Sequence, residues 1–116
     1  MGLDAGGMDR RIRIERATTI DDGMQTLPGP WEPLVTVWAR YSPGKGSERF
    51  EAATRRAEQP VAFIIRWSSA VQGIAATDRV RFPATDAGDI FEIIAPPTEI
   101  GRREGIELLC VAASDG

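Results

Sequence analysis

The chain has one cysteine and no histidine. The side chains that most often act as nucleophile, general base or metal ligand are therefore nearly missing. Cys110 lies inside the apolar run Ile106 to Ala113, where a thiol stays protonated and inert, and it reads as a small core residue. The acidic side chains never fall at calcium-loop spacing. Gly44-Lys45-Gly46-Ser47 carries part of a phosphate-loop pattern, but Ala39 stands where the first glycine belongs. Gly46 stands where Ser or Thr must follow the lysine. No apolar helical stripe follows to aim an N-terminus at a phosphate. The sequence thus offers no catalytic residue, no metal ligand and no cofactor-binding residue, and an enzyme is not expected.

The remaining candidates are contact residues. Ser42 to Gln59 reads SPGKGSERFEAATRRAEQ and joins two strong strand signals. Most hairpin loops are about 2–5 residues, and longer ones are usually functional or disordered. This arm sets Lys45, Arg49, Arg55 and Arg56 against Glu48, Glu51 and Glu58. One reading is a solvated surface loop. The other is a segment that meets a partner or lines a passage, and Phe50, an aromatic amid charges, favours it. Ser47 to Ala57 suits a short helix, but with Phe50 its only large apolar residue that helix is marginal alone. Trp31, Trp38 and Trp67 read as core or barrel-end residues, with Trp31 as a lid; a tryptophan here also suits a subunit contact. Arg102 and Arg103 sit in a glycine-bracketed turn. They are either wet turn residues or partners for a neighbouring subunit's acids.

The elements that hold these residues follow from the pattern. At 116 residues the chain is read as one domain, residues 1–116. Apolar residues make up 42% and charged residues 27%, a globular composition. The net charge of −3 gives no basic footprint for tight nucleic-acid binding. A lone cysteine makes no internal disulfide, which points to a reducing compartment. No apolar run reaches the roughly 18 residues of a membrane span, and no signal peptide opens the chain, so a soluble protein made in the cytoplasm is expected.

Residues 1–8 read as a flexible tail. In 10–17, Ile12 and Ile14 face one way and Arg11, Arg13 and Glu15 the other, which predicts a strand with one wet face. Residues 18–33 carry turn signals and Pro28, Pro30 and Pro33, which argue against a central strand. Leu34 to Tyr41 and Val61 to Trp67 read as long strands, the second apolar on both faces as in a central strand. Shorter strands follow at Asp78 to Phe82, Ile90 to Ala95 and Ile106 to Ala113. About six strands without βαβ alternation predict an all-β fold, a small antiparallel barrel or sandwich with the arm at 42–59 projecting from it.

Several stretches resemble one family collinearly. They are Met8-Asp9-Arg10-Arg11-Ile12-Arg13-Ile14-Glu15-Arg16-Ala17, Trp31-Glu32-Pro33-Leu34, Val37-Trp38-Ala39-Arg40, Gly46-Ser47-Glu48-Arg49-Phe50-Glu51-Ala52, Asp78-Arg79-Val80-Arg81-Phe82, and Glu99 to Leu108. The chain looks like the phage head–tail joining proteins, the head-closure or stopper components of long-tailed phages and gene transfer agents. That resemblance implies a small β-barrel with a long loop, here Ser42 to Gln59, that projects into a channel. It implies a homo-oligomeric ring of six copies beneath the portal and adaptor rings, with the tail or its terminator below. Packaged double-stranded DNA would run through the lumen, and no membrane is involved. The place would be the neck of a virion or gene-transfer-agent particle assembled in the host cytoplasm. The chain departs from the family pattern at 83–89, where a longer turn replaces a tight one.

Two other functions compete. A tail-terminator or tail-tube component differs only in its ring partners. A small nucleic-acid-binding barrel would bind through the arm's four basic residues, but the aromatics sit mostly on apolar strands rather than on a basic face.

Overall fold

Alternation dictates the first strand: Ile12 and Ile14 are fully buried while Arg11 on the opposite face is exposed. The computed structural model describes residues 7–43 and 60–113, and within them the chain forms seven antiparallel strands. These are β1 (Arg10–Asp21), β2 (Thr26–Pro43), β3 (Pro60–Arg66), β4 (Arg79–Phe82), β5 (Asp89–Ile93), β6 (Thr98–Ile100) and β7 (Gly105–Ala112). Hydrogen bonding runs β3–β2–β1–β4–β5–β7, and a further β3–β7 ladder closes the circuit. The expected small antiparallel barrel is therefore present. The three-residue β6 adds to the outer part of β7, and no helix occurs among the described residues.

The core forms where inward faces meet. Ile12, Ile14, Ala39, Phe63, Ile65, Val80, Leu108 and Cys110 are all 0% exposed. Tyr41, Phe82 and Phe91 pack around Phe63, with ring centroids 5.3–6.0 Å from it. The connection from Trp67 to Asp78 winds through consecutive tight turns and adds Val71 and Ile74 to the same cluster. Strand β3 lies between β2 and β7, and Ala62 on its second face is also buried, which matches the doubly apolar pattern.

Two expectations for the first third of the chain are corrected. Residues 18–33 are not a proline-rich connection. They complete a long hairpin in which β1 and β2 stay paired from Arg10↔Ala39 to Asp21↔Thr26. The prolines are tolerated because β2 between Thr26 and Trp38 pairs with β1 alone among the described residues, and an edge strand has no second ladder for a proline to interrupt. Register shifts between Ile14 and Glu15 and between Ala17 and Thr19 absorb the extra residues of β2. Trp31 lies in this hairpin opposite Ala17, is 38% exposed, and lines a hollow with Asp78, Arg79, Ile90 and Ile93 of the barrel. The second correction concerns Met8, placed in a flexible tail by the sequence but buried here.

The turn that caps the hairpin is built from its aspartates. The Asp22 N–H donates to the Gln25 carbonyl at 3.2 Å. The N–H groups of Met24 and Gln25 donate to Asp22 Oδ1, each at 2.9 Å, and those bonds hold the Asp22 carboxyl below its usual range, Gln25 first and then Met24. Gly23 takes φ +87°, which suits glycine.

Candidate interaction surface

The outward face of β1 was expected to be wet, and at its centre it is not. Glu15 is only 3% exposed. Register explains why: Glu15 pairs with Arg79 and Arg13 with Arg81 across β1 and β4, so three guanidinium groups converge on one carboxylate. Arg79 Nε donates to Glu15 Oε1 at 2.7 Å. Arg81 Nε and Arg13 Nε each donate to Oε2 at 3.0 Å. Burial works to raise the Glu15 pKa, but the hydrogen bonds from Arg81, Arg79 and Arg13 outweigh it and hold the carboxyl at about 2.

The 83–88 loop folds over this cage. Arg13 Nη2 reaches Asp86 Oδ1 at 2.8 Å, and Arg81 Nη1 donates to the carbonyls of Asp86 and Gly88 at 3.0 Å each. A Cβ at Gly88 would collide with the Pro83 carbonyl, so the loop needs glycine there to lie this close.

Around the cage, cations stack on tryptophans. The Arg79 guanidinium lies 4.2 Å from the Trp31 ring centroid. Arg11 lies 5.0 Å from the Trp38 ring, and Trp38 is 52% exposed. Each pair leaves a large apolar plate in solvent beside a charge, the makeup of a protein-contact surface. Trp38 was read as core or subunit contact; its exposure favours contact. Trp67 is half-buried, with Arg103 at 5.0 Å from its ring centroid.

Past Glu15 the hairpin leaves the barrel. Its base is tied by Arg16, whose Nε and Nη2 grip the two oxygens of buried Asp78 at 2.9 Å each. Burial works to raise the Asp78 pKa, but Arg16 and the Ala75 N–H outweigh it and lower it. Beyond this anchor Ile20, Met24 and Leu27 are 50%, 90% and 38% exposed. With Trp31, Leu34 and Trp38 they complete the set of exposed large apolar side chains among the described residues, all on the β1–β2 hairpin. Where the hairpin joins the barrel, an apolar groove of about 680 Å³ opens between Trp38 and Trp67.

The arm residues Lys45, Glu48, Arg49, Phe50, Glu51, Arg55 and Arg56 lie outside the described residues. Arg102 and Arg103 occupy the exposed β6–β7 turn, where Gly101 and Arg103 take φ +61° and +60° and the Arg103 N–H donates to Glu99 Oε2 at 3.0 Å. They lie in a turn apart from the Trp31 pair, and only Arg103 packs on a tryptophan. Sequence reading missed Glu15 as a buried group and Ile20, Met24 and Leu27 as a surface. The signal for the second was the turn sequence Asp21-Asp22-Gly23 between two threonine-containing stretches, Thr18-Thr19-Ile20 and Met24 to Leu27, which suits a hairpin tip.

Cys110 is fully buried and burial pushes its thiol pKa up. Among the described residues no group of three or more Cys, Asp or Glu side chains is placed to hold a metal, and no helix is long and apolar enough to cross a membrane.

Comparison with known proteins yields one family and two similar folds. Residues 3–113 match the phage head completion protein family. The solution structure of protein SF1141 from Shigella flexneri 2a is similar at a TM-score of 0.71 and 27% identity, covering 98% of this chain and 100% of that one. A subunit in the virion of a native gene transfer agent particle shares the fold at a TM-score of 0.55 and 22% identity, over 90% of this chain and 91% of that one. No curated protein matches.

Proposed function

We propose that this chain, which belongs to the phage head completion protein family, is a neck component that forms a homo-oligomeric ring between the portal or adaptor and the tail. The ring retains packaged DNA and offers the tail its docking face. The observation that carries this reading is the distribution of exposed apolar side chains. All of those described lie on one hairpin, which is what a subunit with committed protein neighbours needs. Similarity of fold to a gene-transfer-agent virion subunit supports the same placement. A structural, non-enzymatic role fits the buried thiol and the chain's lack of histidine.

The net charge of −3 suits a passage through which DNA slides, because each phosphate contact would add affinity. Within this reading the charged stretch Ser42 to Gln59 faces the channel or a neighbouring subunit, with Phe50 as anchor. Trp31 and the Arg102-Arg103 turn face other subunits.

Deleting the gene from the particle-producing host tests this reading. Heads should fill with DNA but leak it or stay tailless, and wild-type chain supplied in trans should restore transfer. A copy in which Gly46 to Arg56 is replaced by a short Gly-Ser turn should fold yet fail to restore it. Normal DNA content and normal tails in the deletion strain would defeat the proposal.

A further inference from the structure

The hairpin tip and the groove at its base are complementary in chemistry and separated in space. The tip presents Ile20, Met24 and Leu27 to solvent, edged by the carboxylates of Asp21 and Asp22, and Asp22 is held ionised by its turn. The groove is walled by Met8, Val37, Trp38 and Trp67 and rimmed by Arg11 and Arg66. The one acid at the rim, Asp9, already pairs with Arg10 at 3.2 Å, so the rim is left net basic. An apolar tongue with an acidic edge thus matches an apolar groove with a basic edge.

One molecule cannot join its own two parts. Arg11 at the groove and Asp21 at the tip stand on the same strand, roughly 30 Å apart at about 3.3 Å per residue. Pairing in β1–β2 holds that separation. We infer that the tip of the β1–β2 hairpin of one copy seats in the Trp38–Trp67 groove of the next. Such a contact is head-to-tail: each copy uses its tongue on one neighbour and its groove on the other, and successive copies close into a ring when the rotation allows. This inference rests on the ring reading and supplies the surface that reading lacks. Acid–base matching at the edge sets which way the tongue enters, and the apolar centre supplies the buried contact.

Cross-linking inside assembled particles tests it. Met24 is 90% exposed, and Ser68, at the groove, is also exposed, so Met24→Cys and Ser68→Cys leave the fold alone. Native Cys110 is 0% exposed and does not compete for reagent. Particles carrying the double variant, treated with a short bismaleimide, should yield a covalent ladder that ends at a closed ring. Either single variant should yield monomer. Monomer alone from particles that contain the double variant overturns the inference while the ring reading stands. A ladder that stops at dimer does the same, because it reports a two-fold contact, as does cross-linking solely to a different protein. Absence of the chain from particles overturns the ring reading and this inference together.

Discussion

Ile12 and Ile14 are 0% exposed, whereas Ile20, further along the same strand, is 50% exposed. Both ends of β1 carry isoleucine on alternating positions and both are paired with β2. What differs is what lies against the strand's inner face. Between Arg13 and Glu15, β1 also pairs with β4, and the barrel closes over its inner face. Beyond Arg16, β1 pairs with β2 alone among the described residues, and Ile20, Met24 and Leu27 stay outside. Burial here is decided by whether a residue faces the closed core, as Ile12 and Ile14 both do, and not by residue type. The barrel uses its apolar groups for its own core, and the hairpin sets its groups in solvent.

Substitutions should separate these two uses, and the largest stability effect belongs to the barrel centre. Phe63→Ala removes the ring that Tyr41, Phe82 and Phe91 pack against and should cost about 3–5 kcal/mol in urea unfolding. A loss under 1 kcal/mol would mean that the aromatic cluster is not the keystone described.

Glu15→Gln comes next. It leaves three arginines around a neutral amide, and breaking such a buried pair should cost about 3 kcal/mol at pH 7. The folded carboxyl sits at about 2 against an ordinary value of 4.5. Its contribution is therefore complete above pH 4.5 and is lost as the pH falls toward 2. The stability gap between wild type and variant should shrink between pH 5 and pH 3, and a constant gap would show that the cage does not titrate in this way.

Cys110→Ser should cost roughly 1–2 kcal/mol, the penalty of a buried hydroxyl, without preventing particle assembly. Loss of assembly in a folded variant would give the thiol a role beyond packing.

The smallest stability effect is expected at the tip. The double change Ile20→Ser and Leu27→Ser should shift unfolding by no more than about 0.5 kcal/mol, yet should sharply reduce incorporation into particles. Equal incorporation would erase the distinction between the two regions.

The barrel was largely legible in the sequence. Val35, Val37, Ala39 and Tyr41 share the inward face read from their alternation, and Val61, Phe63 and Ile65 do the same in β3. Cys110 is the buried residue its surroundings implied. The hairpin was not legible because Pro28, Pro30 and Pro33 argue only against a central strand, and sequence alone does not separate an edge strand from a loop there. The cage escaped for a related reason. Alternation puts Glu15 with Arg11 and Arg13 on one face, but Arg79 and Arg81 arrive from more than 60 positions away. The exposure of Trp38 likewise depends on β3 ending its pairing at Ala39↔Ile65, one residue short of it.

Those three prolines have a further consequence for the protein at high local concentration. A hydrogen-bonded circuit has no loose edges, so the exposed margins of the hairpin are where an unrelated strand, or a misplaced copy, would add on. Each proline deletes one amide donor from β2, and each register shift offsets the donors that remain. A would-be recruit meets an interrupted ladder rather than a continuous template. Copies at high local concentration are thereby kept from polymerising edge to edge.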